Sequence, residues 1–114
     1  MTTLRTAVLT DAAANFAGAA LAASGPQVWG LLGLPEAARR PSAVALLASG
    51  LWHAGTAAKS TPTPAQARVG AAINAGWVVA GVATQWLPLN GWQRTALLTV
   101  ASYDATMTVL KTRT

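Results

Sequence analysis

Apolar side chains run along this chain in four long stretches, approximately residues 4–23, 41–58, 67–87 and 92–110, with few polar interruptions. Each has about the 17 to 25 residues that a helix needs to cross the hydrocarbon of a bilayer. The breaks between them are rich in turn formers and charge: Ser24-Gly25-Pro26, the run from Pro35 to Pro41 (PEAARRP), Lys59 to Pro64 (KSTPTP), and Pro88-Leu89-Asn90-Gly91. Pro41 stands where proline opens a helix, because the first turn needs no amide donor there. Gln27 to Leu34 (QVWGLLGL) is too short to span and reads as an interfacial segment after the first helix. The expected fold is therefore all-α, a single domain over 1–114 built as a bundle of four transmembrane helices.

Composition strengthens that reading. Only 10% of the 114 residues are charged and 53% are hydrophobic, with a mean hydropathy of +0.39. A soluble domain this small must coat itself in solvated side chains, and too few are available here. The net charge of +5 does not indicate nucleic acid, since the Lys and Arg residues fall singly or in pairs between apolar stretches and form no basic helix face. With no Cys, disulfides, thiolate metal sites and thiol nucleophiles are excluded.

An even number of spans places both termini and the middle loop on one side. Arg5, Lys59, Arg68, Lys111 and Arg113 fall there, against Arg39, Arg40 and Arg94 opposite, so the termini are expected on the cytoplasmic face of the inner (plasma) membrane. Trp29, Trp86 and Trp92 all fall at the other face, where indole rings favour the headgroup level. A secretory signal is the competing reading of the first stretch, with Ala22-Ala23-Ser24-Gly25 as a loose cleavage site. Asp11 and Asn15 in the middle of the apolar run speak against it.

Small residues recur every four positions at Ala14, Gly18 and Ala22, at Gly50, Ala54 and Ala58, and at Ala72, Gly76 and Ala80. Such seams let helix backbones approach closely, and one of them offers a route to a homo-oligomer.

Depth along the helices singles out the chemistry. Asp11, Asn74 and Asp104 each lie about seven residues, or about 10 Å, from the terminal face. His53 lies about a turn and a half from the end of the second stretch, near the same level, and Asn15 is one turn deeper than Asp11 on the same face. A carboxylate facing lipid costs at least about 2.5 to 3.5 kcal/mol, so both acids are expected to point inward. Their expected partners are His53, Asn74, Asn15, Tyr103 and the hydroxyls of Ser49, Thr56 and Thr99. No Lys or Arg lies at this depth, so the layer is expected to lack a permanent cation and the two carboxyls to share at least one proton. A metal is not expected, because one His and two Asp on separate helices make no sequence-local ligand motif, and no cofactor fingerprint is present.

The helix-one pattern Asp11, Asn15, Gly18 and the Asn-x-x-Trp of Asn74 to Trp77 resemble a group of small, uncharacterised bacterial four-helix integral membrane proteins of the DoxX-like and domain-of-unknown-function type. The resemblance covers most of the chain and implies a fold rather than an activity; Asp104 and His53 lie outside its pattern. Three functions follow from the polar level. The leading expectation is a structural or accessory membrane protein whose polar layer fixes helix register. The second is a carrier of protons or a small solute, titrating at Asp11 and Asp104. The third is a membrane-embedded acid-base enzyme, an isomerase, cyclase or epoxide-opening enzyme, acting on a lipophilic small molecule. There Asp11, His53 and Asp104 are the catalytic candidates, and Asn15, Trp52, Asn74, Trp77 and Tyr103 the substrate-binding ones. Trp52 and Trp77 read first as packing or cavity wall.

Overall fold

Four long helices and one short one account for most of the chain in the computed structural model, which describes residues 2–59 and 61–113. They are α1 (Thr2–Ala23), α2 (Pro26–Leu31), α3 (Arg39–Ala57), α4 (Pro64–Ala83) and α5 (Gly91–Thr112), with single 3-10 turns at Glu36–Ala38 and Thr84–Trp86. All regular structure among the described residues is helical. Residues 1, 60 and 114 lie outside the described residues, so Ser60 of the expected middle break is not part of this description.

The helix ends are set by local chemistry. Thr63 accepts a hydrogen bond from the Gln66 amide while the Gln66 side chain accepts from the Thr63 amide, and Asn90 and Gln93 form the same reciprocal box at the start of α5. Pro64 takes the first position of α4, so that helix begins three residues before the apolar stretch that announces it. α3 likewise starts at Arg39, ahead of Pro41, because the 3-10 turn winds directly into it. The expected interfacial segment is α2, closed by Gly33 in the left-handed region (φ 76). A side chain at Gly33 would also collide with Leu89, its Cβ falling 2.6 Å from Leu89 Cδ2.

α1 packs along α3, and α4 along α5, as two antiparallel hairpins that meet each other more sparingly. Early α1 touches late α3, where the Arg5 guanidinium donates to the Ala57 carbonyl (3.0 Å), and late α1 touches early α3, where Arg39 donates to the Ala22 carbonyl (2.9 Å). One glycine from each of two predicted seams packs in this hairpin, a Cβ at Gly18 touching Leu46 at 3.3 Å and one at Gly50 meeting Phe16 at 2.9 Å, while Ala14 and Ala58 of the same seams are exposed. The third seam does not pack. Ala72, Gly76 and Ala80 face outward, and α4 uses Ala67, Gly70, Ala71 and Asn74 instead.

The bundle is 42 Å long and 23 by 17 Å across. Its polarity is inverted relative to a water-soluble domain. The largest fully buried side chains are Lys111, His53, Val8, Asn74 and Asp11, while Val44, Val79 and Trp86 are 69%, 70% and 83% exposed. Most of the buried apolar residues are alanines, with Leu4, Val8, Ala57 and Ala67 forming a small cluster at the terminal end. Among the described residues one helix, over Leu4–Ala23, is long and apolar enough to cross a membrane, with a mean hydropathy of 1.2. The all-helical part of the sequence expectation holds, whereas of the four spans expected one meets this measure among the described residues.

Candidate functional site: a buried polar layer

Asp11, Asn74, Asp104 and His53, assigned to one level by counting residues, converge in the interior, each at most 7% exposed. The Asp11 carboxylate stands at the centre. Tyr103 donates its hydroxyl to Asp11 Oδ1 (2.5 Å), and the Lys111 ammonium donates to Asp11 Oδ2. Lys111 Nζ also donates to Asn74 Oδ1 (2.6 Å), and the other end of that amide, Nδ2, donates to Asp104 Oδ1 (2.8 Å). The chain Tyr103, Asp11, Lys111, Asn74, Asp104 thus links α1, α4 and α5.

Lys111 corrects the sequence reading in two ways. It supplies the permanent cation that the layer was expected to lack, and it leaves the flanking charges of the terminal face, being only 1% exposed. The cause is the direction of helical side chains, which lean toward the helix N-terminus. A lysine near the end of α5 therefore points back into the bundle, and its four-carbon stem carries the ammonium down to the carboxylates. Gly70 makes the room: a Cβ there would lie 3.3 Å from Lys111 Cδ and 3.6 Å from Nζ.

His53 is placed with the acids but not bonded to them. Its Nε2 lies 3.9 Å from Asp11 Oδ2, beyond hydrogen-bond reach, and neither ring nitrogen has a partner although the residue is 1% exposed. A buried imidazole in that condition is unusual, because nearly all buried polar atoms are satisfied.

The other expected partners divide. Asn15 is buried, but its amide donates to the Asp11 backbone carbonyl (2.7 Å), so it serves its own helix rather than the layer. Trp77 reaches from α4 to α3, where its indole N–H donates to Ser49 Oγ (3.4 Å), a cross-helix contact in keeping with a packing role. Trp52 is 39% exposed and turns away from the interior. Thr56 is buried beside His53 on α3, whereas Thr99 is exposed and donates to the Thr95 carbonyl of its own turn. No group of three or more His, Asp or Glu side chains among the described residues is arranged to hold a metal ion.

Three of the arginines expected to flank the helices, Arg5, Arg39 and Arg94, close carbonyls at the ends of neighbouring segments. Arg5 and Arg39 bind the carbonyls named above, Arg39 is held by Glu36 (2.8 Å), and Arg94 donates to the carbonyls of Gln85 (2.7 Å) and Leu87 (3.3 Å). A cation at the C-terminal end of a helix satisfies orphan carbonyls and opposes the negative end of the dipole.

No protein-family profile, curated protein or solved structure matches the chain.

Proposed function

We propose that the chain is a multi-pass protein of the bacterial inner membrane, with α1, α3, α4 and α5 as spanning helices and cytoplasmic termini. Its role is structural or accessory, and the buried layer serves as a polar clamp between its two hairpins. The likeness to DoxX-like proteins is part of the same proposal.

The inverted polarity carries this reading. Large apolar side chains face outward along all four long helices, Leu9 and Leu21 on α1, Leu47 and Leu51 on α3, Val79 and Val82 on α4, Leu98 and Val100 on α5. Water penalises that surface, and lipid does not. The buried ionic contacts fit the same solvent, because a bilayer forces charged groups inward onto one another. α5, with 22 residues, is about 33 Å long at about 1.5 Å per residue, enough for about 30 Å of hydrocarbon. A role as clamp is favoured by where the polar bonds run: Asp11 to Tyr103 and Lys111 joins the two hairpins at a place where they otherwise touch little.

Expression in a bacterial host followed by alkaline carbonate washing tests the location. Retention in the membrane pellet is expected, and release of the chain into the wash as a folded protein would refute it. Protease digestion of right-side-out vesicles then reports whether the termini are protected.

A second reading, the acid-base enzyme acting on a lipophilic molecule, is favoured by one observation, the unpartnered His53 beside Asp11. Co-purification of an apolar molecule that is lost in His53→Phe would support it. The carrier reading is less well supported, since among the described residues the half of the bundle away from the termini offers little polarity beyond Thr84, Gln85 and Thr95 to line a path.

A further inference from the structure

The ionisable groups of the layer do not cancel. Lys111 brings one positive charge, while Asp11 and Asp104 bring two negative ones, all three nearly excluded from solvent. The two acids are held differently. Asp11 has a donor on each oxygen, the Tyr103 hydroxyl on Oδ1 and an ammonium on Oδ2, which is the setting of an ionised carboxylate. Asp104 accepts at Oδ1 from the uncharged Asn74 amide.

We infer that the layer is a binding site for one exchangeable proton, with Asp104 and His53 as its two alternative holders. This rests on the membrane reading above, because surrounding lipid is what makes an uncancelled charge unfavourable. With the proton on the Asp104 carboxyl, His53 is neutral, Asp11 and Lys111 pair, and the layer carries no net charge. When that O–H bond breaks and the proton is taken up by a ring nitrogen lone pair of His53, two carboxylates face two cations and the sum is again zero. His53 has ring nitrogens free to accept it, both being without hydrogen-bond partners; Asp11 Oδ2, 3.9 Å from Nε2, favours the imidazolium, while the Lys111 ammonium on that same oxygen opposes it.

Among the described residues, the groups around this pair are Asp11 on α1, Asn74 and the bare Gly70 on α4, and Tyr103 and Lys111 on α5, with Thr56 buried a turn from His53 on α3. None of these adds a charge beyond those already counted.

Charge neutrality makes the number of bound protons depend on residues that need not hold the proton themselves. The test counts protons on the purified protein in detergent micelles at neutral pH. Infrared spectroscopy counts protonated carboxyls, and 15N NMR reads the protonation of the single histidine. The wild-type sum is expected to be one per chain. Asp104→Asn and Asp11→Asn should each bring it to zero, because one carboxylate then balances Lys111. Lys111→Met should raise it to two. His53→Phe should leave one, all of it in the carboxyl band. A wild-type sum of zero, or a sum of one that survives Asp11→Asn, would overturn the inference. Should Lys111→Met fail to fold, the two asparagine variants and His53→Phe still decide it. Carbonate extraction of the same preparations shows separately whether the membrane reading has failed.

Discussion

Replacing Lys111 by Met keeps the aliphatic stem over Gly70 and removes only the ammonium, which isolates the polar contribution of the clamp. The ammonium donates to Asp11 Oδ2 and, at 2.6 Å, to Asn74 Oδ1, both on side chains that are fully buried. A hydrogen bond involving a charged group contributes about 1.5 to 3 kcal/mol, so the pair is worth about 3 to 6 kcal/mol before relaxation. Uptake of a proton by Asp11 would relieve part of the loss, leaving an expected destabilisation of about 2 to 4 kcal/mol, at the low end for breaking a buried ion pair. Unfolding in mixed micelles with increasing sodium dodecyl sulfate, followed by tryptophan fluorescence, measures it. The double variant Asp11→Asn with Lys111→Met should cost less than the sum of the two single changes by at least about 1 kcal/mol, since each single change strands a partner that the double change removes. A Lys111→Met protein within about 0.5 kcal/mol of wild type, or a strictly additive cycle, would show that the ammonium contributes nothing to holding the hairpins together.

Packing makes further tests available. Gly81→Ala would place a Cβ 2.9 Å from that of Ala101 and 3.6 Å from its backbone, so α4 and α5 must move apart, at a cost of about 1 to 3 kcal/mol in the same unfolding assay. Gly76→Ala meets nothing within 4 Å and should stabilise by up to about 1 kcal/mol through helix propensity; destabilisation there would mean that the outward seam is covered. Gly50→Ala meets Phe16 at 2.9 Å and should cost more than Gly18→Ala, whose neighbour Leu46 lies at 3.3 Å. Arg39→Met removes the donor to the Ala22 carbonyl and the pairing with Glu36, with an expected loss of about 1 to 2 kcal/mol, while exposed Arg40→Met should change stability by less than about 0.5 kcal/mol.

The helices and their breaks were readable because proline, glycine and charge cluster where apolar runs stop, although capping at Thr63 and the 3-10 turn before Arg39 moved two starts upstream. Convergence of Asp11, His53, Asn74 and Asp104 was readable because rise per residue converts position into depth. Lys111 was missed by the same arithmetic, which locates a backbone and ignores a side chain that spans more than a helical turn. The available signal was its spacing: Asp104, Thr108 and Lys111 recur at the i, i+4, i+7 positions of one helix face. Which oxygen of Asp11 receives which donor, and the solitude of His53, depend on how the hairpins dock, and no local pattern encodes that docking. The outward turn of Ala72, Gly76 and Ala80 had no sequence signature either, since an alanine-rich helix offers similar seams on several faces.

The helix-end arginines join two properties that are usually adjusted separately. On the membrane reading, Arg5 and Arg39 belong to the charge distribution that orients the chain during insertion, yet each also closes a carbonyl of a neighbouring helix. Moving a positive charge from one loop to the other to invert the topology would therefore also strip a cap from a helix end. Orientation and folding stability are coupled through the same guanidinium groups, and an inverted variant would inherit frayed helix ends along with its new direction.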